Sequence, residues 1–208
     1  MTRVLTRVLA PLAAVAALAV SAGSAQAFFG NLLDQPMASS SQAPASAQVS
    51  PIPREIVAFN GYARGTIVIS TNERRLYLVL GDGTAIRYGI GVGRPGFTWA
   101  GTRTITRKAE WPAWTPPPEM IARQPYLPRH MAGGPGNPLG ARAMYLGGTI
   151  YRIHGTNAPE TIGTRVSSGC LRLTNQDVSD LYSRVSVGTK VIVLPMTDRR
   201  ADLGRTIR

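Results

Sequence analysis

Cysteine and histidine are scarce in this sequence. Among 208 residues there is one cysteine, Cys170, and there are two histidines, His130 and His154. One cysteine excludes an internal disulfide, so the thiol must be buried and inert, paired between chains, or kept for function. Zinc needs three or four ligands, and Cys170, His154, His130 and a carboxylate stand at no short, regular spacing, so no metal is expected. Aromatic residues make up only 7%, and 11 acidic residues face 23 basic ones. The glycine-rich GIGVGRPG at 89–96 lacks the Lys-Ser/Thr ending and the following helix of a phosphate-binding loop, and reads as a turn. No G-x-S-x-G elbow marks a serine hydrolase. No internal repeat is present, and beyond the N-terminus no apolar run approaches membrane length.

What is present begins with a secretory signal. Arg3 and Arg7 precede an apolar run from Val8 to Val20, and Ala25-Gln26-Ala27 stands before Phe28. This pattern predicts a signal peptide over 1–27, cut after Ala27, and an exported protein of the periplasm or cell envelope. The alternative is an uncleaved anchor. No cysteine follows the run, which excludes a lipid-anchored form, and no stable membrane span is expected after cleavage. Losing Arg3 and Arg7 takes the net charge from +12 to +10. The remaining charge is scattered, which fits a solvated basic surface near anionic wall polymers and gives no nucleic-acid module.

Residues 28–53 are Ser-, Ala-, Pro- and Gln-rich and read as a flexible linker. From Arg54 the pattern is β. Strands are expected at Thr66–Ser70, Arg75–Leu80, Thr84–Val92, Gly101–Ala109, Ala143–Leu146, Thr149–Ile153 and Lys190–Leu194, with a tight hairpin at Gly81-Asp82-Gly83. Trp111 to Gly140 carries eight prolines and reads as one long loop without regular structure, either a lid or binding loop or a segment pinned by its tryptophans. A helix opens after Thr174, with Asp177 at the capping-box position and Val178, Leu181, Tyr182 and Val185 on one face. Residues 196–208 read as a polar tail.

The chemistry gathers in RIHGTNAPETIGTRVSSGCLRL at 152–173, where His154 and Cys170 lie 16 positions apart. A thiol reacts as thiolate and needs a base or cation beside it, and His154 at the end of a strand suits that need. Gly169 permits close backbone approach, amides near Cys170 can face an oxyanion, and Ser167 and Ser168 add hydroxyls.

These residues resemble the signature of the L,D-transpeptidase catalytic domain, the YkuD-type family. HGT at His154–Thr156 and SSGCLRL at Ser167–Leu173 carry the resemblance. IVISTNERRLYLV, GIGVG, the Trp114–Pro118 stretch and GGPGNPLGARAMYL extend it over about 54–195. The family's usual S-H-G-C has a second histidine where this chain has Ser168, so no role of that imidazole carries over. The resemblance implies a mainly β, compact sandwich or barrel-like fold with one or two short helices, and a catalytic domain over 54–195. It implies peptidoglycan L,D-transpeptidation, in which Cys170 forms a thioester with the third residue of a tetrapeptide stem and releases D-Ala. The acyl group then passes to an amine of another stem or of an envelope protein. His154 would act as base, the Gly155 carbonyl would fix its tautomer, and Gly169 and Cys170 amides with Ser168 would hold the oxyanion. Arg172 and Tyr145 are candidates for support or for binding a substrate carboxylate, against structural contacts of the same residues. No cofactor is implied. The rival readings are an L,D-carboxypeptidase using water and a non-catalytic peptidoglycan-binding module.

Overall fold

A computed structural model describes residues 49–196. The expected signal peptide, most of the linker and all but the first residue of the tail lie outside them. Eleven strands appear among the described residues: β1 Glu55–Ala58, β2 Ile67–Ser70, β3 Arg75–Gly81, β4 Thr84–Gly89, β5 Val92–Gly93, β6 Gly101–Glu110, β7 Arg142–Leu146, β8 Arg152–His154, β9 Arg165–Ser167, β10 Leu171–Arg172 and β11 Lys190–Val193. Two α-helices join them, α1 Pro118–Arg123 and α2 Asn175–Arg184. Nine strands form one mixed sheet in the order β1-β4-β3-β2-β11-β6-β7-β8-β10, and β5 pairs with β9 apart from it. The mainly β architecture with few helices is therefore the one expected.

The middle of the sheet is covered on both faces. Ile67, Ile69, Leu76, Leu78, Val191 and Val193 point into the larger core, and Val68, Tyr77 and Val79 into a smaller one with Phe59. This is why IVIS and KVIV read as unbroken apolar runs rather than alternating ones. The β3–β4 hairpin turns at Asp82 and Gly83, both with positive φ (50° and 76°), as its two-residue turn requires.

Strand β6 joins the two halves of the sheet. Gly101–Thr104 pair with β11, and Ile105–Glu110 with β7, across a register shift between Ile105 and Arg107. Helix α2 packs its Val178 and Leu181 into the larger core. Thr174 caps it, its hydroxyl accepting from the Asp177 N–H at 3.1 Å. At the other end Lys108 Nζ donates to the carbonyls of Tyr182 and Val185, so β6 holds the helix C-terminus.

Several expectations need correction. The strand expected over Thr84–Val92 ends at Gly89, because Gly91 leaves β4 and exchanges both backbone bonds with Arg172. The Pro-rich segment 111–140 is not wholly irregular. Pro117 and Pro118 start helix α1, where a proline's fixed φ and missing N–H cost nothing. The strand expected over Thr149–Ile153 begins only at Arg152, since Thr149 turns the chain by accepting from Tyr151 N–H and donating to Leu146 O. Strands β1 and β9 were not expected.

We predict that Thr174→Ala lowers stability by about 1 kcal/mol, seen as a Tm drop of about 2–4 °C in thermal unfolding followed by circular dichroism. An unchanged Tm would mean that packing alone sets the start of α2.

Candidate functional site

Two strands build the site. Strands β8 and β10 run parallel, with Leu171 opposite Ile153 and Arg172 opposite His154. A parallel neighbour needs a crossover of about a dozen residues or more, and the 16-position separation of His154 and Cys170 supplies it. Alternation along each strand then sorts the side chains. Ile153 and Leu171 are buried in the core, while Arg152 and His154 on one strand and Cys170 and Arg172 at the other all line a cavity of about 460 Å³. The Pro-rich segment forms another wall through Trp114, Pro117, Met120, Arg123 and Leu139. Trp114 is tied across that segment by paired backbone bonds to Met131 at 2.8 Å. Trp111 is exposed and does not line the cavity.

His154 is buried, 3% exposed, and its Nδ1 lies 2.6 Å from the Gly155 carbonyl oxygen. A carbonyl only accepts, so Nδ1 carries the proton in the neutral ring and Nε2 keeps the lone pair. The turn after it is held by Asn175 at the start of α2. Its Oδ1 accepts from the N–H groups of Ala141 and Thr156, at 2.9 and 3.2 Å. A Cβ at Gly155 or Gly140 would collide with that oxygen, which explains both glycines.

Cys170 is half-buried. The backbone N–H and guanidinium of Arg152 both reach its thiol, and Arg172 lies near. Burial nevertheless pushes the thiol above its ordinary range, against the pull of these cations. Burial, with the Arg172 and then the Arg152 charge working against the hydrogen bond to Gly155, pushes His154 down to about 3. The resting groups on the cavity wall are therefore a neutral thiol and a neutral imidazole, the ring also having the Leu139 backbone carbonyl as a partner.

The turn before Cys170 is locked from two sides. Ser167 Oγ donates to the Cys170 carbonyl at 2.6 Å and accepts from the Gly169 N–H at 3.1 Å. The Trp99 indole donates to the Gly169 carbonyl at 2.9 Å and stacks on Tyr151, with centroids 4.8 Å apart. The peptide bond after Gly169 is trans, so the Cys170 N–H points away from Trp99. Gly169 has φ of 106°, and a Cβ there would meet the Tyr151 ring at 2.4 Å. Its glycine is thus set by Tyr151 and by backbone geometry, and its N–H is already occupied by Ser167.

Ser168 lines the cavity, half-buried. Tyr145 does not. Its ring stacks with the Arg107 guanidinium at 3.5 Å and has Arg152 at 5.3 Å. His130 is exposed, bonded to Thr115 at 3.3 Å, and away from the cavity lining. Sequence reasoning missed Arg152, Asn175, Trp99 and Tyr151. Alternation along YRIH would have placed Arg152 on the face of His154, whereas the other three are visible only in three dimensions. No group of three or more metal-binding side chains occurs among the described residues.

With the geometry in place, the family follows. Residues 64–193 match the model of the L,D-transpeptidase catalytic domain, YkuD. The chain belongs to that family. It is 39% identical over 160 residues to the Escherichia coli (strain K12) protein named probable L,D-transpeptidase ErfK/SrfK, covering 73% of this chain and 50% of the relative. It thus spans about half the length of the curated relatives it matches first. L,D-transpeptidase 3 of Mycobacterium tuberculosis is 18% identical and superposes with a TM-score of 0.52, covering 62% of this chain and 60% of that one, which shows the shared fold. A Brucella melitensis structure titled a probable carnitine operon oxidoreductase is 50% identical over 72% of this chain and 99% of that one, with a TM-score of 0.48. That title describes that protein alone.

A pH dependence follows from His154. Its folded-state value of about 3 lies below the usual range near ~6.5. Between the two, the unfolded chain binds the extra proton. This contribution to stability is therefore complete above about pH 6.5 and is lost as pH falls toward 3. We predict that wild-type protein loses on the order of 3 kcal/mol more between pH 7 and pH 4 than a His154→Gln variant does. Urea midpoints at both pH values measure it; parallel losses in the two proteins would show that the ring is not buried neutral.

Proposed function

We propose that this protein is an exported peptidoglycan L,D-transpeptidase in which Cys170 is the nucleophile and His154 the base. The observation that carries the reading is that the lone cysteine and a neutral His154, its Nδ1 held by Gly155, line one cavity in a domain of this family. Cys170 Sγ attacks the carbonyl carbon of the third residue of a tetrapeptide stem as its proton passes to His154 Nε2. The Cys170 N–H and the Ser168 hydroxyl face the oxyanion. The Gly169 amide, already bonded to Ser167, is left to shape the turn. The carbon–nitrogen bond to D-Ala then breaks, and the leaving amine takes the proton from His154. A thioester remains. An acceptor amine, from a second stem or an envelope protein, attacks it and releases the thiol. No cofactor enters these steps.

The A-x-A site supports removal of residues 1–27, residues 28–53 as a tether, and action in the periplasm or envelope, with the catalytic domain over 54–195. Carbapenems present a strained acyl donor of the same kind and should acylate Cys170.

The test is purified mature protein with tetrapeptide muropeptides, with and without an added amine, read by mass spectrometry. The expected product joins donor and amine with loss of D-Ala. Release of a tripeptide alone would indicate the carboxypeptidase, and no thioester at all would leave a binding module. Cys170→Ala should lose both acyl transfer and the carbapenem adduct. His154→Ala should slow acylation by about 10²–10⁴-fold, and His130→Ala far less. A drug adduct on Cys170→Ala protein, or near-normal acylation by His154→Ala, would overturn the assignment.

A further inference from the structure

The cavity over Cys170 is unusually one-sided in charge. Four arginines line it, Arg94, Arg123, Arg152 and Arg172, against one carboxylate, Glu119. The salt bridges among the described residues join Arg54, Arg87, Arg142 and Arg184 to acids, and none uses a cavity arginine. The Nε atoms of Arg152 and Arg172 are buried without a hydrogen-bond partner. Further out, Arg94 and Arg123 both lie over the Phe97 ring, at 4.4 and 5.0 Å, which holds two cations at the cavity without neutralising them. Buried guanidinium donors left unpaired are costly, and a carboxylate meets their fork geometry.

We infer that Arg152 and Arg172 form a carboxylate clamp beside Cys170, so that the site takes an acyl donor with a free carboxylate next to the scissile bond and rejects its carboxamide. The inference rests on the proposed acyl transfer for its substrate, where the carboxylate is that of the leaving residue. Strand alternation sets the clamp: Arg152 flanks Cys170 from β8, and Arg172 stands two positions beyond Cys170 on the same face. The outer pair at Phe97 draws the anion toward it.

The full chain offers a direct test, because Cys170 is its one thiol. Iodoacetate and iodoacetamide alkylate a thiolate by the same displacement of iodide and differ only in carboxylate against carboxamide. Intact-mass spectrometry reads both rates. The iodoacetate-to-iodoacetamide rate ratio should exceed that of free cysteine by about 10-fold or more, and fall as salt is raised. In Arg152→Gln and Arg172→Gln it should collapse toward the free-cysteine value. Arginines that merely tuned the thiol would change both rates together and leave the ratio alone. Should the variants fail to fold, the wild-type ratio and its salt dependence decide; a ratio equal to that of free cysteine overturns the clamp.

Tetrapeptide donors ending in carboxylate or carboxamide extend the test to substrate. The carboxamide should lose about 10- to 100-fold in kcat/KM. Equal use of both donors overturns the clamp's role in donor choice while acyl transfer stands. No acylation by either donor, with iodoacetate still favoured, overturns the proposed reaction and leaves the anion site in place.

Discussion

Two rungs of parallel pairing, Leu171 to Ile153 and Arg172 to His154, hold the candidate site together. The inward residues of both strands are core, so the register cannot slip by one without turning Arg152, His154, Cys170 and Arg172 into the interior. The rest of the fold serves that register. Gly91 pairs with the backbone of Arg172 from the side away from β8, and Asn175 ties the turn after His154 to helix α2. The helix is in turn seated by Thr174 at one end and Lys108 at the other.

The same packing sets the electrostatics. A nucleophilic thiol is often prepared by an imidazolium partner. Here burial and two guanidinium groups keep the imidazole neutral, and burial outweighs those cations at the thiol. The proposed proton transfer thus starts from two uncharged partners inside a field of fixed positive charge. In that proposed step, negative charge on sulfur or on an oxyanion would be met by the guanidinium groups and the Cys170 amide. The missing second histidine fits this arrangement: Ser168 adds a hydroxyl and no further base.

Much of the sheet was legible because its central strands are apolar in unbroken or alternating runs, and because Asp82-Gly83 has the backbone freedom its turn demands. Helix α2 was legible from its cap and its buried face. Strand β1 was not, because all of its residues are exposed or half-buried and Glu55-Ile56-Val57-Ala58 shows no sided pattern. Helix α1 escaped because prolines that break a helix interior also start one. At the site, residue types and spacing marked His154 and Cys170, while partners from distant segments left no local trace. Trp99 reaches Gly169 across 70 positions, and Asn175 reaches Ala141 across 34. Tyr145 was a candidate alongside Arg172, with a structural contact as the alternative, and its ring stacks with Arg107 outside the cavity lining.

Strand β1 is also the open border of the large sheet, beyond which no further strand lies among the described residues. It is four residues long, and Glu55 is ion-paired across to Arg87 on β4. Short, charged borders are poor templates for a foreign strand. At high local concentration, such an edge favours separate molecules over stacked ones, so among the described residues this border of the large sheet is a weak site for self-assembly.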